Sequence, residues 1–417
     1  MSQDGVGFDD YEAVRQGLYN AALSRGLDQR SFEEGNPRAG ILSLLHGDEH
    51  KERRRFENPL VRRQSLFEYE QGLFPTILAE VLDRGVAGHQ FDLFDLAGSV
   101  SVVLAARRAG VDHDGSSEQL AELFEHVKVI AQAAAIHDIV GDRERVAAQT
   151  ITLLHDFDRA YVTPSRRRRE ALLDVGEEPP HDLLTEALRK LRDGDPMFAD
   201  HQLLVREVAL FLHGGSHTSA QTTCNVFWYL LGLDGAGRRS DWLERVVTSR
   251  LDAQKCVHET LRLIPTTPEL KRVAEVDTEV AGTPILQGAK VALDARTANR
   301  DAALFGPDPD AFNPDRQVEG DVLLWGHSFG AGPHICIGRS VAGGLPLGAT
   351  ALRAGVGSGH LYGLIALMVQ AIAARGITLD PDDAPERDQR TSRGSRWLRF
   401  PVLFPAPLTS ATGCTSR

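Results

Sequence analysis

The residues best suited to chemistry lie in one glycine-rich segment, Phe329 to Gly338, which reads FGAGPHICIG and contains Cys336. The cysteine stands directly before a predicted helix, whose N-terminus stabilises negative charge together with the backbone N–H groups of the loop. Both effects lower the pKa of a thiol and favour the thiolate. A thiolate is the axial ligand with which an iron porphyrin promotes O–O cleavage, and the glycines, Gly330 among them, let the backbone pass close to a flat macrocycle.

Two further segments carry charged residues at informative spacing. Glu259 and Arg262 stand three residues apart in a predicted helix, so their side chains share one face and can pair. Such a pair is a weak signal alone, because this spacing occurs by chance in most helices. The segment Phe312 to Arg316, which reads FNPDR, follows it and precedes the cysteine loop.

Together these segments resemble the cytochrome P450 family. The loop matches the haem-binding signature F-x-x-G-x-x-x-C-x-G and, from His327 onward, the bacterial form H-x-F-G-x-G-x-H-x-C. Glu259 and Arg262 resemble the E-x-x-R motif. The FNPDR segment resembles the meander, in which Arg316 completes a buried Glu–Arg–Arg network. Buried charges persist only when paired, so this network is structural. The resemblance covers roughly residues 8 to 405 and implies a triangular helical fold.

The resemblance implies haem b as the cofactor, with the Cys336 thiolate as axial ligand to the iron. Phe329, Gly330 and Gly338 belong to the loop that cradles it. Two haem propionates would enter a mostly apolar pocket and need basic partners there. The residues that match the family's propionate contacts are His50, Arg54, Arg272 and His334.

The chain departs from the family pattern in the long central helix. The family usually reads [A/G]-G-x-[D/E]-T-[T/S], whereas residues 214–219 read GGSHTS, so that His217 replaces the acid and Thr218 keeps the alcohol. The resemblance predicts Thr218 for the distal hydrogen bond and makes His217 a candidate proton donor, since histidine titrates near neutral pH. The alternative is that His217 points away, toward a salt bridge or the surface. His213 is predicted to serve packing.

The function implied is a monooxygenase that acts on a mid-sized metabolite in a bacterial biosynthetic pathway. No reductase-like or flavin motif is visible, so a separate ferredoxin and ferredoxin reductase would supply electrons. The replacement at His217 motivates an alternative, a non-oxygenative enzyme that cleaves a substrate N–O or O–O bond by nitrene-type or peroxide-dependent chemistry. A non-enzymatic haem sensor is a third reading, which a degraded cysteine loop would favour, and this loop is intact.

The resemblance also places the substrate pocket, which is predicted to bind a partly apolar small molecule. Phe211 and Leu212 are expected to supply apolar surface, and Thr266 and Thr267 hydroxyl groups. The four contributing regions are Phe32 to Leu45, Ile136 to Gly141, Phe211 to Gly215, and Thr266 to Leu270.

Composition and charge exclude several other classes. Lys and Arg number 46 against 58 Asp and Glu, a net charge of −12 that disfavours nucleic-acid binding. Four scattered cysteines form no zinc spacing and indicate a reducing compartment. We expect a cytoplasmic protein, because the chain shows no signal peptide and no apolar run long enough for a membrane span. The basic run Arg166 to Arg169 is expected to be a solvated helix end.

The pattern of apolar residues predicts a mainly α fold with small β-sheets, in which the haem lies between the long central helix and the helix after the cysteine loop. Residues 1–417 are expected to form a single haem–thiolate domain with a shortened N-terminus and an insertion at about 345–359. The predicted helices are Tyr11 to Ser24, Phe67 to Arg84, Phe91 to Ala109, Ser116 to Ala135, Arg143 to Ala160, Leu183 to Leu191, Leu203 to Leu233, and Glu244 to Leu263. Val273 to Leu293 is predicted to form short strands, with turns at 282–284 and 287–288, and 361–374 a buried helix.

Overall fold

The computed structural model describes residues 5–25, 38–85, 90–235 and 240–405, and these are mainly helical with four small sheets. This is the predicted fold class. The helices are α1 (Tyr11–Tyr19), α2 (Gly47–Glu57), α3 (Arg63–Glu68), α4 (Phe74–Gly85), α5 (Leu93–Ala109), α6 (Ser117–Ala134), α7 (Arg143–Phe157), α8 (Thr163–Asp174), α9 (Leu183–Arg192), α10 (His201–Leu230), α11 (Trp242–Thr248), α12 (Arg250–Leu263), α13 (Ala295–Ala298), α14 (Ala302–Phe305), α15 (Arg339–Ala342), α16 (Ala349–Ala354) and α17 (Leu364–Ala373).

The strands are short and lie at the periphery of the helical body. They are β1 (Val6–Phe8), β2 (Leu23–Ser24), β3 (Gln90–Asp92), β4 (Glu269–Ala274), β5 (Thr278–Val280), β6 (Thr283–Ile285), β7 (Lys290–Asp294), β8 (Thr378–Leu379), β9 (Glu386–Arg387), β10 (Trp397–Arg399) and β11 (Pro401–Leu403). The largest sheet has the order β1-β7-β4-β2, with β1 parallel to β7 and the other pairs antiparallel. The smaller sheets are β3-β11-β8, β5-β6 and β9-β10.

The 30-residue helix α10 forms the centre of the helical body and packs against α5 and α6. Its N-terminus is capped by Asp200, whose carboxylate accepts the N–H of Gln202. Most of α5 is buried, because it lies between α10 and its neighbours and is apolar all round. None of the helices in the described parts of the chain combines the length and the hydrophobicity that crossing a bilayer requires.

Several predicted helices are present with different ends. The first one ends at Tyr19, and Leu23–Ser24 pairs with β4 as a strand. The predicted helix from Glu244 to Leu263 is interrupted at Ser249, whose hydroxyl caps the N-terminus of α12. The helices over 67–84 and 143–160 each contain a wide π-helical turn, at Tyr69–Leu73 and Asp158–Val162, which apolar periodicity does not reveal.

The strand prediction over 273–293 is confirmed in type, although β4 begins earlier, at Glu269. The β5–β6 hairpin turns at Ala281 and Gly282, both with positive φ, so Thr283 already lies in β6. A turn at 281–282 replaces the predicted one at 282–284, because a two-residue hairpin loop needs its left-handed residues between the paired positions.

The prediction of a solvated helix end for the basic run Arg166 to Arg169 is correct for the exposed Arg167 and Arg168 and wrong for Arg169. The run lies in the middle of α8, and the Arg169 side chain is only 3% exposed. Arg169 donates to both carboxylate oxygens of Asp182, at 3.0–3.1 Å from Nε and 2.7 Å from Nη2, and also binds Asp112. The prediction was wrong because the pairing acids come from distant segments, which charge counting along one helix cannot see.

The helix after the cysteine loop is split. Helix α15 has only four residues, and the chain then leaves the helical path until α17 begins at Leu364. Gln254 of α12 holds both ends of the intervening segment, since its amide donates to the carbonyls of Gly343 at 2.8 Å and Leu361 at 3.3 Å. Gly344 has φ +76°, and an added Cβ there would lie 2.3 Å from the Leu361 oxygen. The predicted insertion at 345–359 lies within this segment, and the buried helix predicted over 361–374 is α17.

A fully buried ion cluster joins α12 to the segment before the cysteine loop. Glu259 accepts hydrogen bonds from Arg262 at 2.8 Å and from Arg316 Nε at 3.0 Å, and its side chain has no exposure. The two arginines also donate to the backbone carbonyls of 308–311. Every charge is therefore paired and hydrogen-bonded, as the sequence predicted for this network.

Replacement Glu259→Gln is expected to destabilise the fold, because it leaves two buried guanidinium groups with no counter-charge. The unfolding free energy of the variant should fall by about 3–5 kcal/mol, measured by urea denaturation followed by circular dichroism. Arg353→Gln serves as the control, since Arg353 and Glu319 form an exposed pair, and the loss there should stay within about 1 kcal/mol. Equal effects of the two substitutions would contradict the role given to the buried cluster.

Candidate active site

The cysteine loop is a tight, hydrogen-bonded turn. The Cys336 N–H donates to the Phe329 carbonyl at 2.8 Å, which closes the loop at its base, and the Gly330 N–H donates to His327 at 2.8 Å. Gly332 has φ +63°, and an added Cβ would lie 2.5 Å from the Leu18 oxygen at the end of α1. Only glycine fits there without displacing α1, so the loop is seated against the N-terminal helix.

The start of the loop is fastened to α12 by Asn299, a residue that the sequence analysis did not single out. Its Oδ1 accepts the His327 N–H at 2.7 Å, and its Nδ2 donates to Ser328 Oγ at 3.0 Å. Ser328 Oγ in turn donates to the Leu261 carbonyl at 2.6 Å. His327 stacks on Tyr11 at 4.0 Å, so the loop is held from two sides.

The environment of Cys336 raises the pKa of its thiol above the usual value, chiefly through burial. The Gly338 N–H and the nearby charges of Arg54 and Arg339 act in the opposite direction without overcoming it. The predicted lowering of this pKa is therefore wrong for the protein alone, because burial outweighs the hydrogen bond and the nearby positive charges. The sulfur is nonetheless accessible to solvent. A thiol that lies deep in the protein and is still accessible to solvent must face an internal space. A metal ion that binds the sulfur there would remove its proton.

The four residues predicted to hold the propionates gather beside this loop. The rings of His50 and His334 lie 4.2 Å apart, and burial lowers the pKa of His50 to about 4. Burial likewise lowers the pKa of Arg272 to about 9, and it lowers the pKa of Arg54. Arg272 Nη1 donates only to the Lys271 carbonyl, and Arg54 Nε only to the Asn58 amide oxygen.

This cluster fits a haem. Within the described ranges none of the four residues forms a salt bridge with a carboxylate. Buried basic groups without a counter-charge are unfavourable, and two propionates would supply the missing anions. The same groups lie next to Cys336, as the charge effects of Arg54 on Cys336 and of Arg272 on His334 show. Axial ligand and propionate partners are thus brought together as predicted.

A cavity of about 200 Å³ opens against the middle of α10. Gly214, His217 and Thr218 line it, and on other elements so do Thr266 and Thr267. The Thr218 hydroxyl donates to the Gly214 carbonyl at 2.9 Å, which fixes the rotamer and leaves the oxygen lone pairs free to accept. Thr218 therefore lines the cavity, and its role in the distal hydrogen bond stays a prediction.

His217 is buried, with 5% exposure, and its ring meets Phe94 edge-on at 5.6 Å. Burial, with Arg396 as the next cause, lowers its pKa well below the usual value, so the imidazole is neutral at physiological pH. The alternative that His217 points to a salt bridge or the surface is wrong, because the residue is buried and lines the cavity. Its role as a proton donor stays a prediction. Its Nδ1 has no hydrogen-bond partner among the described residues. His213 is buried beside it, as predicted for packing, and its pKa falls to about 3 through burial.

The predicted pocket regions contribute unequally to the cavity. Ile41, Ser43 and the two threonines line it, whereas residues 32–37 of the first region lie outside the described residues. Phe211 and Leu212 are absent from the described lining, and the apolar surface comes from other residues, namely Ile130, Leu154, Ala209 and Leu210. The hairpin of β9 and β10, with Arg393 and Arg396, was missed, because nothing in its local sequence reveals that it folds back onto α10.

Comparisons with known proteins agree with this geometry. A family model described as Cytochrome P450 matches residues 253–343, which contain α12 and the cysteine loop. The C-19 steroid 1alpha-hydroxylase of Sorangium cellulosum (strain So ce56) is 25% identical over 75% of this chain and 72% of its own. The Cytochrome P450 monooxygenase ptmK of Penicillium ochrochloron is 28% identical over 48% of this chain. That second alignment spans only 42% of the length of the fungal protein.

A solved structure extends the likeness to the whole fold. The structure of a mutant of P450 EryK in complex with erythromycin B superimposes with a TM-score of 0.71 over 98% of this chain and 94% of the other. The two sequences are 21% identical, so this likeness concerns the fold.

Replacement Cys336→Ser should abolish thiolate ligation. The carbon monoxide complex of the reduced, haem-reconstituted variant is expected to lose the red-shifted Soret band of a thiolate ligand. Cys256→Ala is the control, since Cys256 is buried within α12 away from the loop, and this variant should keep that band. An unchanged spectrum in the serine variant would contradict the assignment of the axial ligand.

Replacement Arg272→Gln should loosen the haem, because it removes a buried cation from the propionate cluster. Transfer of haem to apomyoglobin should become about tenfold faster or more. Lys290→Gln on the adjacent strand β7 is the control, because Lys290 is exposed. Equal transfer rates in the two variants would show that Arg272 does not bind a propionate.

Proposed function

Because the chain belongs to the cytochrome P450 family, we propose that it is a haem–thiolate monooxygenase that acts on a mid-sized metabolite in a bacterial biosynthetic pathway. Two observations support the proposal: Cys336 lies with the basic cluster of His50, Arg54, Arg272 and His334, and a cavity lined by Thr218 opens against α10. The cofactor is haem with a cysteine thiolate as axial ligand. When bound, it supplies the redox-active iron at which dioxygen can be activated.

The protein groups around the cofactor have separable tasks. Cys336 would ligate the iron, and the loop hydrogen bonds hold the sulfur in one position. The basic cluster would neutralise and orient the propionates, which fixes the haem in its plane. In the cavity, the Thr218 hydroxyl donates its proton to the Gly214 carbonyl, so its oxygen can accept a hydrogen bond from a water molecule or a protonated group.

Proton delivery is where this chain differs from its family. A carboxylic acid at position 217 could exchange protons with water, whereas the buried, neutral imidazole of His217 packs edge-on against Phe94. It can donate a hydrogen bond, yet it supplies no readily released proton near pH 7. We infer that protons reach the cavity mainly by water held at Thr218, with His217 shaping the wall.

Electrons would come from a separate ferredoxin and its reductase. Exposed arginines Arg62 and Arg63 lie at the start of α3, and Arg63 Nη2 donates to the Gly359 carbonyl in the segment that follows the cysteine loop. Positive charge near the cofactor ligand favours an acidic electron carrier, because complementary charge steers association. A location in the cytoplasm stays a prediction from the sequence.

The second candidate function is a non-oxygenative reaction that cleaves a substrate N–O or O–O bond. The neutral, buried state of His217 favours it, since a reaction in which the substrate brings its own weak bond needs no proton relay for dioxygen. The oxygenase and this alternative share the same haem, cavity and cysteine. They differ in whether external electrons and dioxygen are consumed.

Stopped-flow reduction followed by mixing with dioxygen tests the proposal. With ferredoxin and reductase, the wild type should form a complex with dioxygen and return to the ferric state without releasing peroxide. His217→Asp should change the decay rate of this complex, because it restores a titratable acid beside Thr218. His217→Asn is the matched control, since asparagine has the size and polarity of aspartate and carries no titratable proton.

Two results would contradict the monooxygenase proposal. One is a wild type that releases nearly all its reducing equivalents as peroxide while His217→Asp couples them to product. The other is turnover of an N–O or O–O substrate without dioxygen or electrons, which would establish the alternative.

A further inference from the structure

The acidic and basic side chains that line the cavity beside α10 are strongly unbalanced in favour of positive charge. Its described lining contains no aspartate or glutamate, and it contains arginines from four parts of the chain. These arginines are Arg25, Arg38, Arg206, Arg393 and Arg396. Arg25 and Arg38 make interactions of their own. Arg206 Nε donates to the Ala39 carbonyl at 2.8 Å, and its Nη2 lies 3.3 Å from Asp200.

The remaining two arginines lie on the hairpin of β9 and β10, and only one of them forms a salt bridge within the described residues. Arg393 donates to Asp138 at 2.7 Å, and Asp138 also accepts from Lys271 at 3.0 Å. The single carboxylate of Asp138 therefore pairs with two cations. Arg396 pairs with no carboxylate in the described part of the chain, and its one hydrogen bond is a long contact of 3.4 Å to the Ala131 carbonyl.

The hairpin cannot swing Arg396 away from the cavity. Gln221 of α10 donates its amide to the carbonyl of Trp397 at 2.9 Å and accepts the Trp397 N–H at 2.7 Å. Asn225, one turn later, accepts the indole N–H of Trp397 at 2.9 Å. The residue next to Arg396 is therefore fixed to the helix that carries Thr218, and the guanidinium stays on the cavity wall.

Burial lowers the pKa of Arg396 to about 9, which still leaves it charged at neutral pH. The same charge contributes to keeping His213 and His217 neutral, so no nearby histidine competes with it. Asp138 and Asp388 act on this guanidinium only through space. A buried guanidinium with no carboxylate in direct contact is unfavourable unless a ligand supplies an anion there.

We propose that the substrate is a carboxylic acid with an apolar body, whose carboxylate binds Arg396. This inference rests on the proposed function, because it names the substrate class for the same cavity. One guanidinium without a salt-bridge partner matches one negative charge, and its planar fork can donate two parallel hydrogen bonds to a carboxylate. The apolar body would lie against Ile130, Leu154 and Leu210, which line the same cavity.

Ligand binding to the haem-loaded full chain tests this inference. The probes are decanoic acid, 4-phenylbutanoic acid and indole-3-propionic acid, each compared with its primary amide by isothermal calorimetry and by the shift of the Soret band. At least one acid should bind about tenfold or more tightly than its amide at neutral pH, because a hydrogen bond to a charged group is worth that much.

Substitutions on the hairpin of β9 and β10 show which residue binds the carboxylate. Arg396→Gln should weaken the acid about 10- to 100-fold and leave the amide unchanged, and Arg396→Lys should lie between, since it keeps the charge and loses the fork. Arg390→Gln is the matched control, because Arg390 lies on the same hairpin, is 56% exposed and pairs with Asp388. Its affinities should equal those of the wild type.

Three outcomes overturn the inference: no acid binds, an acid and its amide bind equally, or Arg396→Gln binds the acid as the wild type does. Failure of the proposed function has a different signature, namely a reduced carbon monoxide complex without the Soret band of a thiolate ligand. Calorimetry does not depend on that band, so it reports acid recognition in either case.

Discussion

Glu259 accepts hydrogen bonds from two buried arginines, and the position of the cofactor ligand depends on that contact. Arg262 and Arg316 are held on one carboxylate with no exposure, which fixes the end of α12 against the segment 308–316. The Arg262 carbonyl then accepts from Asn299, the residue that fastens the start of the cysteine loop. A chain of hydrogen bonds therefore runs from a buried ion cluster to the loop that presents Cys336. A rigid support of this kind suits a ligand that must stay in place while the metal changes its charge.

Much of the site could be predicted from the sequence, because several of its parts are formed by residues that are close together in the chain. The residues of the cysteine loop are contiguous, and Gly330 and Gly332 have the positive φ angles that their loop requires. The pair Glu259 and Arg262 lies on one helical turn, so its spacing is also local. The four residues predicted to bind the propionates were identified through the family resemblance, and the structure brings them together from helix α2, strand β4 and the loop.

Features that depend on distant charges could not be predicted in this way. Arg169 was expected on the surface, and it is buried because Asp182 and Asp112 reach it from other segments. Arg396 has the opposite property, since among the described residues no carboxylate forms a hydrogen bond or salt bridge with it. The pKa of Cys336 was expected to be low, yet burial outweighs the loop hydrogen bonds when no metal neutralises the sulfur. Each of these depends on which side chains the fold places nearby, and local sequence does not contain that information.

X-ray absorption at the iron edge of the haem-loaded protein tests the central claim most directly. The account predicts one sulfur scatterer in the first coordination shell of the iron, together with the porphyrin nitrogens, because Cys336 is the cysteine beside the propionate cluster. A first shell made only of nitrogen and oxygen would contradict it and would remove the basis for a haem–thiolate enzyme.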